Sequence, residues 1–189
     1  MGNYQNTGAG LKKMFVAEIG AIACTVVMII PIIGLVVGGI GAIVFAIISL
    51  IGLAAVGKDI EGCKQAFTLT IVNIVLSVLG SLFAKVAVIS VLISIAEDVV
   101  TFLIVYLVCT SVGAVLQANN YADVAAKGET VWKINLVCYA ASIVITILSK
   151  IPLLSVLAGI VSVIVGIALI VAGILYMIFL YKSYQAFGA

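Results

Sequence analysis

The sequence predicts an all-α integral membrane protein of about six transmembrane helices, arranged as three helical hairpins whose likeness reads either as imperfect parallel repeats or as chance similarity of Ile/Val/Ala/Gly-rich sequence. Three observations predict it. Hydrophobic residues make up 66% of the 189 positions and charged residues 8%, against about 45–50% and about 25% in soluble proteins. The apolar residues fall into six segments, most of them long enough at 1.5 Å per residue to cross a hydrocarbon core of about 30 Å. The lysines divide unevenly between the two ends of those segments.

The first apolar segment covers 14–30 and follows a polar, Gly- and Asn-rich stretch, 1–13. No small-residue cleavage site closes it, so it reads as a membrane segment and not as a cleaved leader. Gly2 suggests myristoylation, but Asn6 stands where that motif wants Ser or Thr. The second segment, 33–56, is separated from the first by Pro31, and proline disfavours helix at the residue before it. Segments 67–84 and 99–116 form the second pair, and 134–148 and 153–180 the third, broken at Ser149, Lys150 and Pro152. The hairpins therefore run over about 14–57, 67–117 and 131–182, within a membrane domain of 14–182 and ahead of a short tail, 183–189.

Lys12, Lys13, Lys58, Lys64, Lys127, Lys133 and Lys182 flank the double spans, whereas only Lys85 and Lys150 lie near their far ends. Lysine enrichment marks cytoplasmic loops, so both termini are expected in the cytoplasm of a cell with a multi-pass protein in its membrane. The net charge of +2 suits anionic headgroups and calls for no nucleic acid partner. Trp132, Tyr121, Tyr181 and Tyr184 fall near the same ends, where amphipathic rings settle at headgroup level. All nine basic residues are lysine, a usage that points to an A/T-rich bacterial genome.

The repeats are read from similar lead-ins. Gly10-Leu11-Lys12-Lys13-Met14-Phe15 precedes the first pair, Gly62-Cys63-Lys64-Gln65-Ala66-Phe67 the second, and 128–133 the third more loosely, while Gln65-Ala66-Phe67 recurs as Gln185-Ala186-Phe187. The second helices of pairs one and three carry glycine at helical spacing. Gly34 and Gly38 form a G-x-x-x-G pair continued by Gly41, and Gly159, Gly166 and Gly173 recur every seven residues. Such stripes predict close helix packing, within the chain or between chains.

Lys85, Glu97 and Asp98 interrupt the middle pair. A charge at the bilayer centre costs at least about 2.5–3.5 kcal/mol, so the cheapest arrangement puts all three at the outer surface, joined by a re-entrant or interfacial segment over 86–96. A turn at Lys85 would instead drive the acidic pair deep along a helix of about 30 residues, and a turn at the acidic pair would bury Lys85. Glu18 lies about one turn beyond Met14, within reach of cytoplasmic water or a lysine. Asn73 is expected to bond across helices, and Ser77, Thr110 and Ser111 to bond their own backbone.

Neither histidine nor arginine is present, and Cys24, Cys63, Cys109 and Cys138 lack zinc spacing. Glu97 and Asp98 are adjacent, so their side chains diverge and make a poor acid/base pair. The chain is therefore expected to be non-catalytic, without cofactor or metal. It reads as a self-associating or accessory subunit in the lipid bilayer, partnered by copies of itself or by another membrane protein. The alternatives are a small oligomeric channel with Lys85, Glu97 and Asp98 at its outer mouth, or a component of a small-solute transporter.

Overall fold

The computed structural model describes residues 4–27, 33–149, 151 and 154–188. Six helices occupy them: α1 Gln5–Val27, α2 Ile33–Val56, α3 Glu61–Leu82, α4 Ala87–Ala118, α5 Ala122–Leu148 and α6 Ser155–Ala186. The described residues hold no β-strand. β-Branched Ile and Val dominate these segments and are indifferent helix formers in water. In lipid, however, every backbone N–H and C=O must find its partner within the segment, and a helix provides that at any apolar composition.

The breaks have local causes. Gly57, Lys58, Asp59 and Ile60 separate α2 from α3, and Phe83, Ala84, Lys85 and Val86 separate α3 from α4. Between α4 and α5, Asn120 adopts φ 67°, a left-handed conformation that asparagine tolerates better than most side chains. Asn119 Nδ2 caps the end of α4 by donating to Val115 O at 2.8 Å. Pro31, Lys150 and Pro152, the residues on which the first and third turns were read, lie outside the described residues.

Each helix packs on the next, and α1 packs on α6, so the six close into a ring. The α1–α2 pair is the most extensive. Its antiparallel crossing rests on glycine: a Cβ on Gly10 would fall 2.6 Å from Gly52 O, one on Gly52 2.6 Å from Gly10 O, and one on Gly20 inside the ring of Phe45. Tyr4 and Phe187 meet at one end of the ring, with ring centroids 5.7 Å apart and planes tilted by 53°. Asp59, in the α2–α3 junction, holds the first turn of α1. It accepts from Thr7 N and Thr7 Oγ1, both at 2.9 Å, and from Asn6 Nδ2 at 3.1 Å. A carboxylate there satisfies free N–H groups and meets the positive end of the helix dipole.

The buried apolar side chains gather at this same end. Leu11, Val56, Val108, Val112, Leu116, Phe179 and Leu180 are fully buried there, with Tyr176 and Val131 beside them. Around the rest of the ring the large apolar side chains point outward, Val156 75%, Leu82 72% and Val88 72% exposed. The polar lead-ins are helical as well, since α1 begins at Gln5 and α5 at Ala122.

One sequence-based expectation needs correction. The segment 86–96 is neither re-entrant nor interfacial. It forms the first three turns of α4, a single helix of 32 residues, and the turn falls at Lys85. Lys85 and the acidic pair therefore do not share one end of the bundle. The glycine stripe of α6 is open among the described residues, where a Cβ at Gly159, Gly166 or Gly173 would meet nothing within 4 Å. In α2, by contrast, a Cβ on Gly41 would fall 2.5 Å from Cys24 Sγ, and Gly38 is buried. The surroundings of Gly34 lie outside the described residues.

Candidate functional site

Helix register sets the depth of the acidic residues. On α4, Tyr106 packs edge-on against Trp132 of α5 at 5.3 Å, with Lys133 Nζ 5.7 Å from the Trp132 ring. On the other side of the ring, Lys12 Nζ lies 6.0 Å from the Tyr184 ring, beside Phe15 and Tyr181. Both groups lie toward the end of the ring where Tyr4 meets Phe187, at different heights: Gly128 of α5 touches Phe179 of α6, so by helical rise Trp132 lies about 6 Å deeper and Tyr184 about 7 Å farther out. Lys85 stands 21 residues before Tyr106, about 31 Å of helix and close to the thickness of the hydrocarbon core. Glu97 and Asp98 lie between these levels, about 18 Å from Lys85 and about 12 Å from Tyr106 by helical rise.

Neither acid faces lipid unaided. Adjacent residues on a helix point about 100° apart, and here each reaches a different neighbour. Ser77 Oγ of α3 donates to Glu97 Oε1 at 2.8 Å, and Ser142 Oγ of α5 donates to Asp98 Oδ2 at 2.9 Å. Thr101 Oγ1 donates to Glu97 O at 2.7 Å and accepts from Asn73 Nδ2 of α3 at 3.3 Å. Asn73 thus bonds across helices, as expected from sequence. Most membrane hydroxyls here bond their own helix, Thr70, Thr110, Ser162 and Ser183 among them. Ser77 and Ser142 break that habit, and both do so toward a carboxylate.

Glu18 lies about half-way along α1. It makes no ion pair with a lysine among the described residues, where the only salt bridge joins Lys133 and Glu129. With Asn73 it lines a cavity of about 280 Å³ between α1, α2 and α3. Tyr139 of α5 lies within coulombic range of both Asp98 and Glu18. The three carboxylates, each only partly buried, Asn73 and their hydroxyl partners so form a polar layer roughly half-way along the helices, with the Ser77–Glu97 bond on the exposed side of the α3–α4 seam. Lys85 is exposed in its turn and takes no part in it.

Sequence reasoning missed Thr101, Tyr139, Ser142, Thr70 and Ser49, which are small or aromatic residues scattered through apolar runs. Their only signal was polarity at mid-segment. The cysteines are free thiols, Cys63, Cys109 and Cys138 buried and Cys24 partly so, against Gly41. Among the described residues no cluster of His, Cys, Asp and Glu is grouped to ligate a metal.

Five of the helices, Val36–Val56, Glu61–Leu82, Ala87–Ala118, Ala122–Leu148 and Ser155–Ala186, are long and apolar enough to cross a membrane. α1 falls short of that description, with Lys12, Lys13 and Glu18 in its sequence. Length and composition thus make this a multi-pass helical membrane protein. The chain matches no protein-family model, no curated protein and no solved structure.

Proposed function

We propose that this chain is a non-catalytic ion-pathway protein whose interior polar layer passes a small cation or proton between the two faces of the membrane. One observation carries the reading. Three carboxylates, Glu18, Glu97 and Asp98, each partly buried, interrupt otherwise apolar helices, two of them held by hydroxyls from neighbouring helices. Ionisable groups at that depth are costly and mark ion paths and proton relays wherever they persist. The pathway then has its acids at mid-depth, with Lys85 outside it. Seven of nine lysines support an orientation with both termini cytoplasmic. Three hairpins, α1–α2, α3–α4 and α5–α6, are the arrangement we adopt, supported by the packing of each helix on the next.

The test is flux in liposomes carrying the purified protein. An imposed sodium or proton gradient is expected to dissipate about tenfold faster with wild type than with E97Q/D98N, because that pair removes two of the layer's three charges. Lys85→Gln is expected to leave the rate within about twofold, since the side chain lies in water. Wild-type liposomes that hold both gradients as long as protein-free ones would end this reading.

A second reading has its own observation. The α6 stripe of Gly159, Gly166 and Gly173 is open among the described residues and has the seven-residue spacing that lets a second helix approach closely. It favours a self-associating or accessory subunit. Native mass spectrometry from nanodiscs would then show a defined oligomer for wild type that Gly166→Leu reduces to monomer. A wild-type monomer would remove the self-association reading.

A further inference from the structure

The geometry points to a monovalent-cation site in the cavity between α1, α2 and α3, where Glu18 supplies the charge and Asn73, Ser49 and Thr70 supply neutral oxygens. The site deepens the ion-pathway reading and rests on it for its role, though not for its chemistry.

Four oxygen-bearing side chains from three helices line this cavity. The state of Asn73 follows from its neighbours. Thr101 spends its one hydroxyl proton on Glu97 O, so toward Asn73 it can only accept. Asn73 must present Nδ2 to Thr101, which leaves Oδ1 as the amide atom for the cavity, and that oxygen is buried without a partner among the described residues. A buried amide oxygen with no donor costs about 1–3 kcal/mol. Thr70 likewise gives its proton to Ala66 O, at 2.9 Å, and turns only lone pairs elsewhere. With the Glu18 carboxylate, the cavity holds a surplus of acceptors. That surplus is what a cation needs.

The charge selects the class of ion. A single carboxylate in an apolar setting is neutralised by one positive charge, and Lys12 and Lys13 lie more than a turn away along α1, Lys12 at the Tyr184 ring. Divalent ions favour several carboxylates or, for magnesium, a nearly rigid octahedron, and the cavity offers one acid among neutral groups. Its 280 Å³ also exceeds a bare ion, leaving room for several waters at about 30 Å³ each. A partly hydrated alkali cation fits. A proton on Glu18 would settle the charge but supply just one donor to several acceptors.

The experiment is thermal unfolding in detergent at fixed ionic strength and pH, with choline chloride replaced stepwise by sodium or potassium chloride. An ion that binds only the folded state raises the midpoint with its concentration and then saturates logarithmically. Wild type is expected to show that rise for sodium or potassium over choline. E18Q should abolish it, S49A should weaken it, and E97Q should retain it. Identical midpoints in sodium, potassium and choline would overturn the site, as would an undiminished rise in E18Q. A midpoint that answers to pH and not to alkali ions would overturn it in favour of a proton. Should E18Q not purify folded, T70V decides in its place, a smaller rise supporting the site and an unchanged one refuting it. A cation-dependent midpoint without liposome flux would sink the ion-pathway reading and leave the site standing, whereas flux without the midpoint shift would do the reverse.

Discussion

Gly52→Val is expected to unseat α1 from α2 and to leave little folded protein. At this crossing the backbones approach so closely that a Cβ at position 52 would lie 2.6 Å from Gly10 O, 2.9 Å from Met14 Cγ and 3.0 Å from Met14 N. Two of those atoms are backbone, which cannot swing aside as a side-chain tip can. Overpacking a well-filled core costs about 1–3 kcal/mol, and valine adds two methyls beyond the clashing carbon. The same end carries the Asp59 clamp on Thr7, so displacing α1 also strips those hydrogen bonds. Unfolding midpoints in detergent should fall steeply for Gly52→Val and Gly10→Val, whereas Gly159→Val on the open face of α6 should stay near wild type. A Gly52→Val protein with a wild-type midpoint and elution profile would show that the crossing is looser than described.

That contrast shows what could be read from residue order. The apolar segments and the lysine asymmetry were legible because each is a property of one stretch of chain against one solvent. Which glycine face meets another helix is a property of two stretches. The seven-residue repeat in α6 was the more regular pattern, yet the close contact formed at Gly10, Gly20 and Gly52, of which Gly10 lies in the polar lead-in. Spacing shows that a helix can be approached and is silent on what approaches it.

The depth of Glu97 and Asp98 was misread for a related reason. The cost of a lone charge in lipid favoured placing both at the outer surface. Ser77 and Ser142 lower that cost by donating to them at 2.8 and 2.9 Å, and each lies at least twenty residues away along the chain. A continuous α4 is then permitted, and its 32 residues follow from an apolar run that nothing but the two acids interrupts. Asn73 is the hinge between the two halves of the layer, one end of its amide serving the Glu97 side through Thr101 and the other left for Glu18. A polar network of this kind is strong only when complete, and an unfilled acceptor inside it is where a ligand gains most.

Phe179→Ala should be the most damaging truncation of a single side chain. Phe179 is fully buried and packs against Gly128, whose missing Cβ would otherwise fall 2.7 Å from the ring. Gly128 precedes Trp132 in α5 and Phe179 precedes Tyr181 and Tyr184 in α6, so this contact lies between the two aromatic groups, near the end of the ring where Tyr4 meets Phe187. That position sets the size of the effect. Between lipid-facing helices, removing an apolar group mainly costs packing, since lipid chains solvate it as well as protein does. Beside water, the lost transfer energy adds to the cavity left behind, and Phe→Ala then costs about 3–5 kcal/mol. Leu180 and Val112, also fully buried, cannot refill the space without shifting α4 or α6. We expect Phe179→Ala to lower the unfolding midpoint far more than Ile170→Ala, whose side chain is 64% exposed on the lipid-facing part of the same helix. Equal losses at the two positions would mean that the core at the Tyr4–Phe187 end does not anchor the ring, and the helices would have to owe their association to contacts along the membrane segments instead.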